Sequence, residues 1–210
     1  YVELTPEQER VYKSIKDDCL ALLEGEIVTT TLALTKIVKL HQILTGFVIT
    51  DDGTTVNLKN HRIDALKQIA DTTQPLVVFC AYKHNVQQIK DALSDYKVVT
   101  YTGSDNTHEK NKAVLDFQNG NADIFVGTSA AAKGLTLTRA STMVYYSNNY
   151  SLENRLQSQD RIHRIGQDNK CTYIDLVVSN SIDETILKRL EQKKELSNEV
   201  LDDLIDIIKQ

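Results

Sequence analysis

Between Leu76 and Val178 five short runs of β-branched and aromatic residues alternate with segments whose apolar residues recur every three or four positions. No other feature constrains the fold so tightly. A strand that returns parallel to its predecessor needs a crossover, and a helix is the usual one, so strict alternation predicts an α/β fold: a parallel sheet with helices on both faces. The predicted strands are Leu76 to Cys80, Val98 to Thr102, Asp123 to Val126, Thr142 to Tyr146 and Thr172 to Val178. They are continuous apolar runs, as expected where both faces are covered. Predicted helices are Lys83 to Ser94, Thr107 to Gln118 and Ser151 to Ile165, while Ala130 to Arg139 lacks a period and reads as a loop.

The flanks are of another kind. Thr5 to Leu23, Thr31 to Leu44 and Arg62 to Ala70 carry helical periods, with Gly46, Asp51, Asp52 and Gly53 marking a turn. Ser181-Ile-Asp-Glu184 has the form of a capping box opening a helix with Ile182, Ile186, Leu190, Leu201, Leu204 and Ile208 as its apolar residues. The expected organisation is a helical preface at 1–58, the α/β lobe at 59–180, and an amphipathic helix at 181–210 packed on the lobe.

The chain has 210 residues, enough for one sizeable core with helical additions, and no apolar run long enough to cross a bilayer. It opens on Tyr1 without a charged and apolar leader, which suggests a segment of a longer polypeptide. Cys19, Cys80 and Cys171 share no C-x-x-C spacing and read as buried thiols of an intracellular, reducing compartment. The net charge of −5 argues against a broadly basic nucleic-acid face. Only residues 76–170 are net positive, with 11 basic against 9 acidic groups, so any nucleic-acid contact must come from local placement of cations and backbone amides.

In open parallel sheets ligands gather at the carboxyl ends of the strands. Thr102-Gly103-Ser104-Asp105 follows the second strand and enters a helix, either as a plain capped entry or as a place where backbone amides meet a phosphate. Gly127-Thr-Ser-Ala-Ala-Ala-Lys133-Gly134 follows the third and approximates the phosphate loop G-x-x-x-x-G-K-[ST]. It fails at two places: Ala132 replaces the second glycine, and Gly134 stands where a hydroxyl must hold magnesium. In Gln157-Ser-Gln-Asp160-Arg161-Ile-His163-Arg164-Ile-Gly166-Gln167, a helix running to Gly166 would set Gln157, Arg161 and Arg164 at i, i+4 and i+7, on one stripe facing a common anion. A solvated helix with an Asp160–Arg164 ion pair explains the same spacing. His41, His61, His84, His108 and His163 show no metal-ligand spacing, and no metal site is expected.

The string QDRIHRIGQ resembles the last helicase motif of the Swi/Snf-related branch of superfamily two, the chromatin-remodeller-like DNA translocases. In the family's order before it stand VVFCAYKHNVQQI, TYTGS, IFVGTSAAAKGLTLT and MVYYSNNYS. LTKIVKLHQILTG upstream is similar to the helix that precedes the second lobe. The resemblance runs from about Lys59 to Leu201 and implies the C-terminal RecA-like lobe of a two-lobed motor. ATP and Mg2+ would then be held mainly by an N-terminal RecA-like lobe of the same parent chain. By the family's motif Arg161 and Arg164 approach the γ-phosphate as arginine fingers, Gln157 supports them, and Gly134 lies at the nucleotide. Thr128 to Leu135 couples nucleotide state to the DNA backbone. Thr102, Gly103, Ser104, Thr128, Ser129 and Lys133 are the expected contacts to double-stranded DNA.

This sequence departs from the family at Ala131 and Ala132, where paired glycines are usual. It departs again at Ser147, usually Asp, and at Tyr150-Ser151-Leu152, usually Trp-Asn-Pro. The resemblance implies an ATPase part that is inactive alone. The competing readings are a self-sufficient NTPase using the degenerate loop and a noncatalytic protein-interaction module.

Overall fold

The computed structural model describes residues 1–24 and 30–192, and the side chains of 1–18 and 34–192. Along the chain come α1 (Pro6–Glu24), α2 (Thr30–Leu44), β1 (Phe47–Ile49), β2 (Thr55–Asn57), α3 (His61–Thr72), β3 (Leu76–Phe79) and α4 (Lys83–Ala92). Then follow β4 (Val98–Tyr101), α5 (Thr107–Gln118), β5 (Ile124–Gly127), a 3-10 turn (Ser129–Ala132), β6 (Thr142–Tyr145), α6 (Leu152–Gln159), β7 (Thr172–Asp175) and α7 (Ile182–Glu191). No helix among the described residues is long and apolar enough to cross a membrane.

Internal contacts divide the chain into two units, one of Arg62–Leu176 and one of Tyr1–His61 with Val177–Gln210. The first holds the five expected strands as a RecA-like parallel sheet in the order β4-β5-β3-β6-β7. Central β3 pairs with β5 and β6 in matched register, Leu76 beside Ile124 and Thr142. All four of its residues are buried, whereas the edge strands β4 and β7 are partly open. Val77, Phe79, Phe117, Phe125, Met143, Tyr145 and Ile162 form one apolar cluster, closed by Ala131 and Ala132. Each large side chain there contributes about 1.5–3 kcal/mol. Arg62 is 1% exposed and donates from Nη1 to the carbonyls of Tyr146 and Leu176, beyond the ends of β6 and β7.

In the other unit α1 and α2 pack together, and the turn read from Gly46 and Gly53 proves to be a two-stranded hairpin, β1 with β2. Strands of three residues are too short to show a period. Val2 forms a parallel bridge with Val178, and the Tyr12 hydroxyl accepts the amide of Ile182 at 3.3 Å. The capping box expected at Ser181–Glu184 takes a different form. Ser181 Oγ accepts from the Asp183 amide, and it is the Asp183 carboxylate that reaches back, to the amide of Val178. A reciprocal capping box does form at α5, between Asn106 and Glu109. The expected apolar positions Leu201, Leu204 and Ile208 lie outside the described residues, as does the side chain of Cys19. Cys80 is buried, but Cys171 is only half-buried, one residue before the open edge strand β7.

Candidate functional site

The expected helix from Ser151 to Ile165 stops at Gln159, six residues short. Ser151 caps its start, accepting the Asn154 amide at 3.2 Å. Carbonyls at its end and just beyond it take partners other than helix amides. Arg161 Nε donates to the Gln157 carbonyl at 2.7 Å, the Leu137 amide donates to the Arg161 carbonyl at 2.9 Å, and Gln167 Nε2 takes the carbonyl of Ile162. Burial of Ile162 in the core, with Ile165 wholly exposed, fixes the irregular path that follows. Arg161 and Arg164 therefore do not share a helical stripe with Gln157.

The irregular path nevertheless brings the two arginines together. Arg161 Nη1 and Arg164 Nη1 donate to the same carbonyl, that of Leu135, at 3.1 and 3.2 Å, and Arg164 Nη1 also reaches Thr136 Oγ1 at 3.2 Å. Among the described residues neither guanidinium forms an ion pair, with Asp160 or any other carboxylate. Burial lowers the Arg161 pKa from its ordinary value; the Arg164 charge adds to this and Asp160 opposes it. Both arginines line an open concavity of about 460 Å³ with Asp160, His163, Ile165 and Gln167. Two cations held together on one neutral acceptor can be relieved by an anion, and the planar guanidinium fork suits phosphate oxygens. Among the described residues no cluster of His, Cys, Asp or Glu is placed to hold a metal ion.

The loop after β5 turns sharply. Thr128 caps the 3-10 turn, accepting the Ala130 amide at 3.4 Å. Ala131 and Ala132 point their methyl groups into the core, fully buried, so they do not stand between the backbone and a ligand outside. Ser129, Lys133 and Gly134 are exposed, and Gly134 takes φ +74°, open to glycine at little cost. Lys133 Nζ lies 3.5 Å from Glu153 Oε1, the same oxygen that accepts Gln157 Nε2 at 2.7 Å. In the turn after β4, Thr102 is buried. Its amide and hydroxyl donate to Asp105, at 2.6 and 2.7 Å, leaving Gly103 and Ser104 facing outward.

Sequence reasoning missed a polar cluster at the carboxyl ends of β6 and β7. Arg155 makes a two-pronged contact with Asp175, Nη1 to Oδ1 at 2.5 Å and Nη2 to Oδ2 at 2.9 Å. Asn148 accepts from Arg155 and donates to Asp175, each at 2.7 Å. The guanidinium lies 3.5 Å from the centre of the Tyr145 ring, whose hydroxyl bonds Ser158 at 2.6 Å. One signal was available: Asp175 interrupts the otherwise apolar run from Tyr173 to Val178 and needed a polar partner. Ser147 Oγ accepts the Ala81 amide at 2.9 Å and ties together the loops leaving β3 and β6, which diverge toward opposite ends of the sheet.

Residues 61–166 match the family model of the helicase conserved C-terminal domain. The human chromatin-remodeling ATPase INO80 is 37% identical over 120 residues, 53% of this chain and 8% of that protein. The nuclear protein STH1/NPS1 of Saccharomyces cerevisiae is 32% identical over 112 residues, 52% of this chain and 8% of that protein. The chain thus spans a small fraction of the curated relatives it matches. Among solved structures, the C-terminal part of the Fun30 ATPase domain aligns with a TM-score of 0.79 at 19% identity, over 99% of this chain and 94% of that one. The Sulfolobus solfataricus SWI2/SNF2 ATPase core in complex with dsDNA aligns with a TM-score of 0.72 at 20% identity, over 98% of this chain and 44% of that one.

Proposed function

The chain belongs to the helicase conserved C-terminal domain family, as a C-terminal lobe of the Swi/Snf-related type, and from that premise we propose how it works. It is the second motor lobe of an intracellular ATP-dependent DNA translocase, whose ATP site is completed by a first lobe. The observation that carries this reading is the convergence of Arg161 and Arg164 on the Leu135 carbonyl, with no carboxylate partner among the described residues, at the wall of an open concavity.

The residues fit a phosphate but not its magnesium. Two guanidiniums without an ion-pair partner among the described residues supply planar donors and positive charge, whereas no cluster of metal-binding side chains accompanies them among those residues. Magnesium and most of the triphosphate are therefore assigned to the first lobe, where the bound metal would neutralise charge on the phosphates. Arg161 and Arg164 enter when the lobes close and stabilise the charge that develops on the equatorial oxygens during phosphoryl transfer. Gln157 holds Arg161 through its carbonyl, and Gly134, on the same loop as Leu135, gives the backbone room beside the nucleotide. The DNA backbone, double-stranded, meets Thr128, Ser129 and Lys133 after β5 and the Thr102, Gly103 and Ser104 turn after β4. At that turn Gly103 and Ser104 are the outward donors, with Thr102 fixing the turn through Asp105. Self-sufficient hydrolysis by the loop after β5 is disfavoured because that loop forms a 3-10 turn with Ala131 and Ala132 buried, not a curl around an anion.

The test is DNA-stimulated phosphate release by a two-lobed polypeptide containing this lobe. Turnover unchanged by Arg161→Ala with Arg164→Ala would return both residues to a structural role.

A further inference from the structure

One carboxylate oxygen joins the two segments assigned above to DNA and to ATP. Glu153 Oε1 accepts Gln157 Nε2 at 2.7 Å and lies 3.5 Å from Lys133 Nζ. Gln157 in turn gives its backbone carbonyl to Arg161 Nε at 2.7 Å, and its side-chain Oε1 is buried without a hydrogen-bond partner among the described residues. Polar contacts therefore run from Lys133 through Glu153 to the side chain of Gln157, and from the backbone carbonyl of Gln157 to Arg161. We propose that Glu153 is a positioning residue that couples the occupancy of Lys133 to the setting of Gln157 and Arg161.

The chemistry is competition for one acceptor. With Lys133 beside it, Oε1 divides its charge between an ammonium and an amide. When a phosphate of the nucleic-acid backbone draws the ammonium away, the oxygen is left to the Gln157 amide, and that bond tightens. Among the described residues the Gln157 side chain is held by this one amide bond, since its Oε1 has no hydrogen-bond partner. Lys133 and Glu153 side chains are 66% and 59% exposed, so the pair is weak and easily exchanged for a phosphate. The Gln157–Glu153 contact spans four residues of α6, and its effect reaches Arg161 through the Gln157 backbone, whose carbonyl holds Arg161 Nε. This inference rests on the reading of Lys133 as a DNA-backbone contact, and the experiment separates the two.

Two measurements on the whole chain decide it. The first follows the Gln157 side-chain amide by nitrogen–proton NMR in the wild type, in Lys133→Ala, and in the wild type titrated with a short duplex. Coupling requires the signal to move on Lys133→Ala and to move in the same direction with duplex. The second is duplex affinity by fluorescence anisotropy at low salt. Glu153→Gln, which frees Lys133 of its charged partner, should tighten binding by about two- to fivefold, the range set by a weak exposed ion pair. In a Lys133→Ala background that gain should vanish. An equal gain in both backgrounds is a general charge effect and overturns the proposal, as does a Gln157 signal indifferent to Lys133→Ala. If no variant binds duplex while the Gln157 signal still follows Lys133→Ala, the coupling stands and the DNA-contact reading fails.

Discussion

Arg161 and Arg164 donate to one and the same atom, the carbonyl oxygen of Leu135, from 3.1 and 3.2 Å. That carbonyl belongs to the loop after β5, so the segment assigned to the γ-phosphate and the segment assigned to DNA are physically joined at Leu135. In a two-lobed motor Arg164→Ala, and Arg161→Ala with it, should lower DNA-stimulated kcat by about two to three orders of magnitude while leaving ATP affinity little changed. Arg→Lys should rescue poorly, since an ammonium cannot reproduce the planar fork. Steady-state phosphate release and nucleotide titration check both halves of this expectation.

The isolated chain should show no meaningful ATP turnover, with or without DNA, because its described residues offer no cluster for the metal. Phosphate release near ~1 s⁻¹ that disappears with Lys133→Ala would instead establish a self-sufficient NTPase.

Binding of the isolated chain to duplex should be weak, independent of sequence and sensitive to salt. With two or three phosphates neutralised, log K should fall against log salt with a slope of roughly −2 to −3. Anisotropy titrations across ionic strength give this number directly, and a flat profile would contradict backbone contact.

Most of the lobe was legible in the sequence because its central strands, β3, β5 and β6, are apolar runs that the sheet buries, and such runs leave few alternatives. All five were found to within a few residues at each end. The arginine segment was legible as chemistry but not as shape. Nothing in its period reveals that the Arg161 carbonyl will be claimed by the amide of Leu137, a loop residue distant in sequence, or that helix geometry ends there. Arg62 and Arg155 were invisible for a related reason. Each is a cation whose partners are brought to it only by the sheet, across 84 and 20 positions of sequence.

Asp175→Ala should destabilise the fold by about 3 kcal/mol, because it leaves Arg155, only 11% exposed at its side chain, without a counter-charge. Replacing both Arg155 and Asp175 with apolar residues of similar volume should cost much less than Asp175→Ala alone. Urea unfolding of the single and double variants measures the difference.

Alkaline pH should unfold the protein progressively between about pH 10 and 12. Burial pushes Tyr145 up to about 12, and burial does the same for Tyr12. Above pH 10 the unfolded chain loses these phenolic protons while the folded chain keeps them. The unfolded state then binds fewer protons, and stability falls as pH rises. Each tyrosine's contribution, on the order of 2–3 kcal/mol, is complete below pH 10 and gone above pH 12. Tyr145→Phe should flatten part of this dependence in urea midpoints taken across that range.

The 3-10 turn after β5 carries a constraint of its own. A Cβ added to Gly127 would meet the methyl of Ala131 at 2.8 Å, closer than carbon atoms pack. One methyl group fits between these two positions, and this chain places it on Ala131, where the resembled family usually has glycine. The two sites therefore form an exchangeable pair: the tolerance of position 127 for a side chain is conditional on what stands at 131. Gly127→Ala, disruptive in the present background, is eased once Ala131→Gly has removed the 2.8 Å contact, leaving the Phe125 ring at 3.2 Å as the neighbour that must give, so the cost of the first change depends on whether the second has already occurred.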